Sequence, residues 1–150
     1  MGRVTVIRAA THADVPAIVA LGRAFLATSP YQAWLEENPD QFAAMTTVLL
    51  EAPAGHVVVA DVGETIVGFL ALAVVPHDLS GVLTAKEVCW YVRPETRGVG
   101  LRLLRAAERW ARAQGARTLQ MIAPRAAPRV EALYVALGYE PVEVVFQRTL

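Results

Sequence analysis

Val92-Arg93-Pro94-Glu95-Thr96-Arg97-Gly98-Val99-Gly100-Leu101 joins a strand-like run to a long amphipathic segment. The stretch is a glycine-containing turn that opens a helix. The first backbone N–H groups of such a helix have no partner within it and carry the positive end of its dipole. Gly98 and Gly100 remove the side chains that would hold an anion away, so the turn is a candidate phosphate site, with a pyrophosphate-bearing ligand first in line. It lacks the Gly-Lys-Ser/Thr of an ATP-binding loop, and Gly98-Val99-Gly100 alone is not the dinucleotide fingerprint. An ordinary strand-to-helix connection is the plain alternative.

Outward from this turn, the elements follow from periodicity and punctuation. On the C-terminal side a helix runs to about Gln114 and stops at Gly115. Leu103, Leu104, Ala107, Trp110 and Ala111 form its buried stripe, with Arg102, Arg105, Arg109 and Arg112 on another side and Glu108 placed to pair with Arg112. Thr118 to Ala123 reads as a strand, Pro128 or Arg129 to Leu137 as a helix ending at Gly138, and Val142 to Thr149 as a final strand. On the N-terminal side Thr84 to Val92 is a strand, preceded by a loop from Pro76 to Leu83 and a hairpin of His56–Val62 and Thr65–Val75. Strict alternation in Thr84–Val92 puts Glu87, Cys89 and Tyr91 on one face and Lys86, Val88 and Trp90 on the other; a β-bulge would change these facings. Val4 to Arg8 is a short strand. Thr11 and Asp14 cap a helix to about Leu26, Tyr31 to Glu37 is a short helix, and Asn38-Pro39 opens another through Leu50. The order is β, α, α, β, β, β, α, β, α, β, with no internal repeat.

Composition narrows the class. The 150 residues are 55% hydrophobic with zero formal net charge, which suits one domain spanning 1–150 and excludes a disordered or strongly basic chain. Arginine is concentrated between Arg93 and Arg129, opposed there only by Glu95 and Glu108, so this half can attract an anion. The lone Cys89 cannot form an internal disulfide, and no stretch has the length of a membrane span or the pattern of a signal peptide. The expected location is cytoplasmic. His12, His56 and His77 lack metal-ligand spacing, so no metal is expected.

With this order of elements and this turn, the chain resembles the GNAT superfamily of acetyl-CoA-dependent N-acetyltransferases over nearly its whole length. Val92 to Leu104 is similar to the family's acetyl-CoA motif, Arg/Gln-x-x-Gly-x-Gly/Ala: Arg97 and Gly100 match its first two fixed positions, while Arg102 stands at the third, where the family has a small residue. Arg102 then either points away or adds a guanidinium to the phosphates. Ala132-Leu133-Tyr134-Val135-Ala136-Leu137-Gly138-Tyr139 is similar to a second family segment, with Ala127 where many members have asparagine.

The resemblance implies an α/β (α+β) single domain: a strongly twisted, mostly antiparallel mixed sheet flanked by helices. It is splayed between the strands Thr84–Val92 and Thr118–Ala123 to make the acyl-CoA slot. It implies acetyl transfer to a primary amine by direct attack, with acetyl-CoA as donor and a small-molecule or peptide amine as acceptor, approaching past the first two helices and the Pro76–Leu83 loop. The implied cofactor-binding residues are Tyr91, Val92, Arg97, Gly98, Val99, Gly100, Leu101 and Arg102, with the N–H groups near Tyr91 and Val92 holding the thioester oxygen. Glu87 takes the amine proton and Tyr134 protonates the departing thiolate.

Other readings attach to the same residues. Glu87 could be a structural ion-pair partner, Tyr134 a core aromatic, Cys89 a small buried hydrophobe, and His77 a solvated loop residue or an acceptor contact. Tyr31, Trp34 and Trp90 suit either a pocket or the core. At the level of function, the departures at Arg102 and Ala127 keep open a catalytically inactive acyl-CoA-binding or protein-interaction module. The arginine-rich helix keeps open a nucleic-acid-binding domain, although neutral net charge and the absence of interleaved aromatics set nucleic acid and membrane aside as expected partners. A homodimer is compatible with all of these.

Overall fold

The structure, a computed structural model, describes residues 3–125 and 127–150. Its centre is a five-stranded sheet in the order β1-β2-β3-β4-β5: β1 (Thr5–Ala9), β2 (Gly55–Val62), β3 (Ile66–Pro76), β4 (Leu83–Val92) and β5 (Thr118–Gln120). The first four pair antiparallel and β5 joins β4 in parallel. The β2–β3 hairpin turns at Gly63 (φ 58°) and Glu64 (φ 67°). Both lie in the left-handed region required by the two-residue turn that matches strand twist.

Alternation along β2 and β3 divides the core into two layers. Val58, Ala60, Leu70 and Leu72 face α3 (Val99–Ala113) and α4 (Pro128–Ala136), meeting Leu103, Leu104, Ala107 and Tyr134. Val57, Val59, Phe69 and Ala71 face the other way, toward Ile18 and Leu21 of α1 (Val15–Thr28) and Leu49 of α2 (Pro39–Glu51). Helices cover both faces, which is why β2 and β3 read as near-continuous apolar runs.

Capping follows the sequence with one change of role. Asn38 accepts the Gln41 N–H at 3.0 Å with Pro39 in the first turn of α2. Before α1, Asp14 does the capping: its Oδ2 accepts the Thr11 N–H at 2.8 Å, while its two oxygens bind the Arg8 guanidinium at 2.7 and 3.0 Å. Arg8 also reaches Asp61 on β2, so one guanidinium ties β1, the start of α1 and β2 together. These contacts hold the Asp14 carboxyl down at about 2.

Three expectations are corrected. The short helix at Tyr31–Glu37 is a 3-10 turn at Pro30–Ala33. The strand expected to reach Ala123 ends at Gln120, because β4 and β5 part there. The Val142–Thr149 segment forms no strand; Phe146 is 90% exposed and Val145 83%. A strand pattern becomes a strand only where an edge is available to pair with, and β5 has already left the ladder. Among the described residues no helix is long and apolar enough to cross a membrane.

Candidate functional site

β4 carries the decisive irregularity. Cys89 pairs with Ala71 and Glu87 with Leu72, which leaves Val88 as an extra residue without a partner. This is a β-bulge, and it moves everything before it to the opposite face. Directly paired residues share a face. Glu87 therefore lies with Leu72 on the α3–α4 side, with Trp90 and Val92, while Cys89 and Tyr91 lie with Ala71 and Phe69 on the α1–α2 side. The facing expected from strict alternation, with Glu87 beside Cys89 and Tyr91, is corrected accordingly.

The bulge lies where the sheet opens. β4 and β5 pair at Thr84 with Thr118, Ala85 with Leu119 and Lys86 with Gln120, and go no further. In the gap, Glu87 Oε2 accepts the Ile122 N–H at 2.8 Å, and the Tyr134 hydroxyl donates to the Ile122 carbonyl at 3.1 Å. The two side chains thus hold opposite ends of one residue's backbone, replacing ladder bonds that the parting strands cannot make. Burial raises the Glu87 carboxyl to about 7 against the opposing pull of its bond to Ile122. Tyr134 is 6% exposed, its ring 5.9 Å from Trp90 and 5.5 Å from Tyr139. Burial, and then the nearby Glu87 and Tyr139, raise its hydroxyl well above the ordinary tyrosine range. Burial also pushes the Cys89 thiol up to about 12. Burial thus disfavours the thiolate, the form in which a cysteine attacks.

The splay opens into a cavity of about 800 Å3. One wall is β4 from Glu87 through Val92, continuing to Pro94, Thr96 and Gly100. Facing it across the gap are Ile122, Pro124, Val130 and Leu133, and on the other side the cavity extends beneath α1 and α2. At the turn, Gly98 is the left-handed N-cap of α3 (φ 74°), no side chain among the described residues caps the helix, and no acidic residue occupies its first turn. Those N–H groups remain free to meet an anion. A Cβ on Gly100 would stand 3.3 Å from the Trp90 indole, so a glycine keeps that approach open. Trp90 Nε1 is buried with no hydrogen-bond partner among the described residues, an orphaned donor in a side chain that lines the cavity.

The sequence-derived residues divide. Glu87, Tyr91, Val92 and Gly100 line the cavity; Val99 turns into the core and Leu101 is exposed. Arg97 is exposed beside the turn. Arg102 takes the first of its two courses, donating to the Thr5 carbonyl of β1 at 3.1 Å. Its side chain faces a separate groove with Ile7, Arg105 and Arg109. Arg93 N–H donates to the Val67 carbonyl at 2.9 Å, so the alternation of the ladder directs the Tyr91 N–H to β3 and the Val92 N–H to the splay. Of the two expected oxygen-binding amides, the Val92 N–H is the one that faces the gap. Glu108 pairs with Arg105 at 3.0 Å, and accepts from Tyr139 at 2.9 Å, rather than pairing with Arg112.

Sequence reasoning missed the Ile122 peptide and the Trp90 Nε1 donor. It placed the acceptor side partly on the Pro76–Leu83 loop, but the described lining comes from α1, the Pro30–Ala33 turn and α2. His77 is occupied within its own loop, its Nδ1 accepting the Leu79 N–H at 3.2 Å. Tyr31 lines the cavity, whereas Trp34 is exposed.

The family model described as "Acetyltransferase (GNAT) family" matches residues 22–139. No curated protein matches the sequence. Among solved structures, the chain is similar to a transcriptional regulator from Bacillus halodurans C-125, with 19% identity, TM-score 0.81, and 98% of this chain and 100% of that one covered. It is also similar to the aminoglycoside N-acetyltransferase AAC(6')-Iy in complex with CoA, with 22% identity, TM-score 0.76, and 99% and 97% covered. A ribosomal-protein-alanine N-acetyltransferase from Brucella melitensis biovar Abortus 2308 aligns with 19% identity, TM-score 0.75, and 98% and 99% covered.

Proposed function

The chain belongs to the GNAT acetyltransferase family, and we propose that it moves the acetyl group of acetyl-CoA to a primary amine by direct attack. The observation that carries this reading is the Glu87 carboxyl, raised to about 7 and set in the splay where the two halves of the cavity meet. A base poised near neutrality is what deprotonating an amine at working pH requires.

The residues present fit coenzyme A. The uncapped start of α3, with Gly98 and Gly100, suits the pyrophosphate. The splay between β4 and β5 suits the pantetheine arm, and Trp90 Nε1 is an available donor to its amide carbonyls. Acetyl-CoA supplies an activated thioester; the remaining contributions are the protein's. The Val92 N–H faces the position of the thioester oxygen and favours negative charge there. An ammonium first loses one proton to solvent; Glu87 accepts the second, which the neutral amine gives up as it attacks. Tyr134 stays protonated at working pH and serves as donor to the sulfur by exchanging the Ile122 carbonyl for it. The balance is one new N–C bond for one broken C–S bond. The amine proton ends on Glu87, and the thiolate takes one from Tyr134, which is restored from solvent.

The structures similar to this one include proteins named for aminoglycoside and for ribosomal-protein alanine acetylation, so amines from small molecules and from polypeptides both belong in the test. Acetyl-CoA should raise the melting temperature, and thiol release should accompany amine addition. A thermal shift with no thiol release from any amine points instead to an inactive acyl-CoA-binding module. Salt-sensitive nucleic-acid affinity without a coenzyme A shift points to the arginine-rich helix as the functional surface.

A further inference from the structure

The half of the cavity away from the cofactor turn is walled by Phe25 and Leu26 of α1, Tyr31 and Leu35 of the connection, and Phe42 and Met45 of α2. These are aromatic and aliphatic groups held in place by one another. The Phe25 ring lies 6.2 Å from Tyr31 and 6.2 Å from Tyr91, and Phe42 lies 6.1 Å from Phe69. The chain makes room for this wall at Gly22, where a Cβ would stand 2.2 Å from the Phe42 ring. Charge is confined to the rim. Arg23 and Glu37 are spent on each other in an ion pair, with Glu36 alongside. Inside, the carboxylate is Glu87, at the reacting end.

An amine entering this half meets Glu87 where its nitrogen must react, then a stretch of apolar wall, with Glu36, Asn38 and Gln41 and the Arg23–Glu37 pair at the exposed outer end. A polycation would have to lay further ammonium groups along the apolar stretch, losing their hydration there. An aromatic or branched aliphatic body gains instead, by about four-fold in binding for each methylene removed from water. We infer that the acceptor is a monoamine with a bulky apolar body, an arylalkylamine or branched alkylamine in chemical class, and that polyamines are disfavoured. The inference rests on the acetyl-transfer reading above.

The test measures thiol release from acetyl-CoA with ethylamine, isoamylamine, phenethylamine, spermidine and an aminoglycoside. Phenethylamine should exceed ethylamine in kcat/KM by about 10- to 100-fold, the effect of burying one aromatic side chain's worth of surface, and spermidine should fall below both. Leu35 is 55% exposed, so Leu35→Asp leaves the core alone while placing a carboxylate on the wall. It should lower kcat/KM for phenethylamine and raise it for spermidine. Phenethylamine should also raise the melting temperature of the native protein, and do so less in Leu35→Asp. Spermidine or the aminoglycoside as the best acceptor would overturn the apolar-body assignment and leave acetyl transfer standing. No thiol release from any of the five, with acetyl-CoA still giving its thermal shift and phenethylamine none, would remove the transfer reading and this inference together.

Discussion

Glu87→Gln separates a buried base from a structural peg, because the two roles differ in how stability depends on pH. The carboxyl has an ordinary value of 4.5 and is raised to about 7 by burial. Between those values the folded protein keeps a proton that the unfolded chain has released, so stability falls as pH rises through this window. Below it the cost is absent, and above it the whole cost is present. The gap corresponds to about 3 kcal/mol. Glutamine is neutral throughout, and its side-chain oxygen can still accept the Ile122 N–H that Glu87 Oε2 accepts at 2.8 Å. The variant should therefore gain on the native protein by about 3 kcal/mol between roughly pH 4 and pH 8, read from urea unfolding of both proteins without ligand. Other titrating groups cancel in the difference. The same substitution should lower turnover by roughly 10²- to 10⁴-fold and remove the limb of the rate profile that rises toward about pH 7. A stability difference that stays flat with pH would refute the raised carboxyl. A pH-dependent stability difference with unchanged turnover would keep the buried acid and take Glu87 out of the chemistry.

Further outcomes follow from other contacts. Gly100→Ala puts a Cβ 3.3 Å from the Trp90 indole and drives the ring toward the cavity. The free protein should keep its melting temperature while coenzyme A affinity, measured by calorimetry, falls about ten-fold. Tyr134→Phe retains the packing against Trp90 and Tyr139 but deletes the donor to the Ile122 carbonyl. Turnover should drop by roughly 10²-fold or more; near-normal turnover with chemistry rate-limiting would make Tyr134 a packing residue. Combined with Glu87→Gln, its effect on stability should be non-additive, since both side chains hold Ile122. Asp14, lowered from 3.8 to about 2 by Arg8, stabilises the fold above pH 4 and loses that contribution as pH falls toward 2. Asp14→Asn should cost roughly 2 kcal/mol at neutral pH in urea unfolding, with the difference vanishing near pH 2.

Much of this architecture is legible in the chain because its signals are local. Asn38-Pro39 opens α2, Gly115 closes α3, and the Val62-Gly63-Glu64-Thr65 turn fixes the β2–β3 hairpin, each through chemistry within a few residues. The glycine turn and its helix stand where the sequence puts them for the same reason. What escaped depends on pairing at a distance. Nothing local in Val142–Thr149 reveals that β5 is too short to offer an edge. Arg102 could not be assigned a direction until the Thr5 carbonyl of β1 was beside α3. The acceptor wall is built from residues whose helical spacing reads equally as core, and only the gap above β4 makes them lining. Trp90 gave one usable hint: an indole N–H normally finds a partner when buried, and neither strand neighbour offers one.

The Val88 bulge links the parts that were legible to those that were not. Without the extra residue, Glu87 would point with Cys89 toward the α1–α2 side, among the apolar groups packed there, where an ionisable group would be costly. With it, Glu87 crosses to the side of the parting strands and reaches Ile122. Glu87 and Tyr134 then hold the two peptide groups on either side of Ile122, one through its N–H and the other through its carbonyl. In the proposed reaction the Tyr134 hydroxyl must leave that carbonyl for the sulfur, so one inserted residue in β4 brings the proposed base and the proposed acid to the same short stretch of backbone.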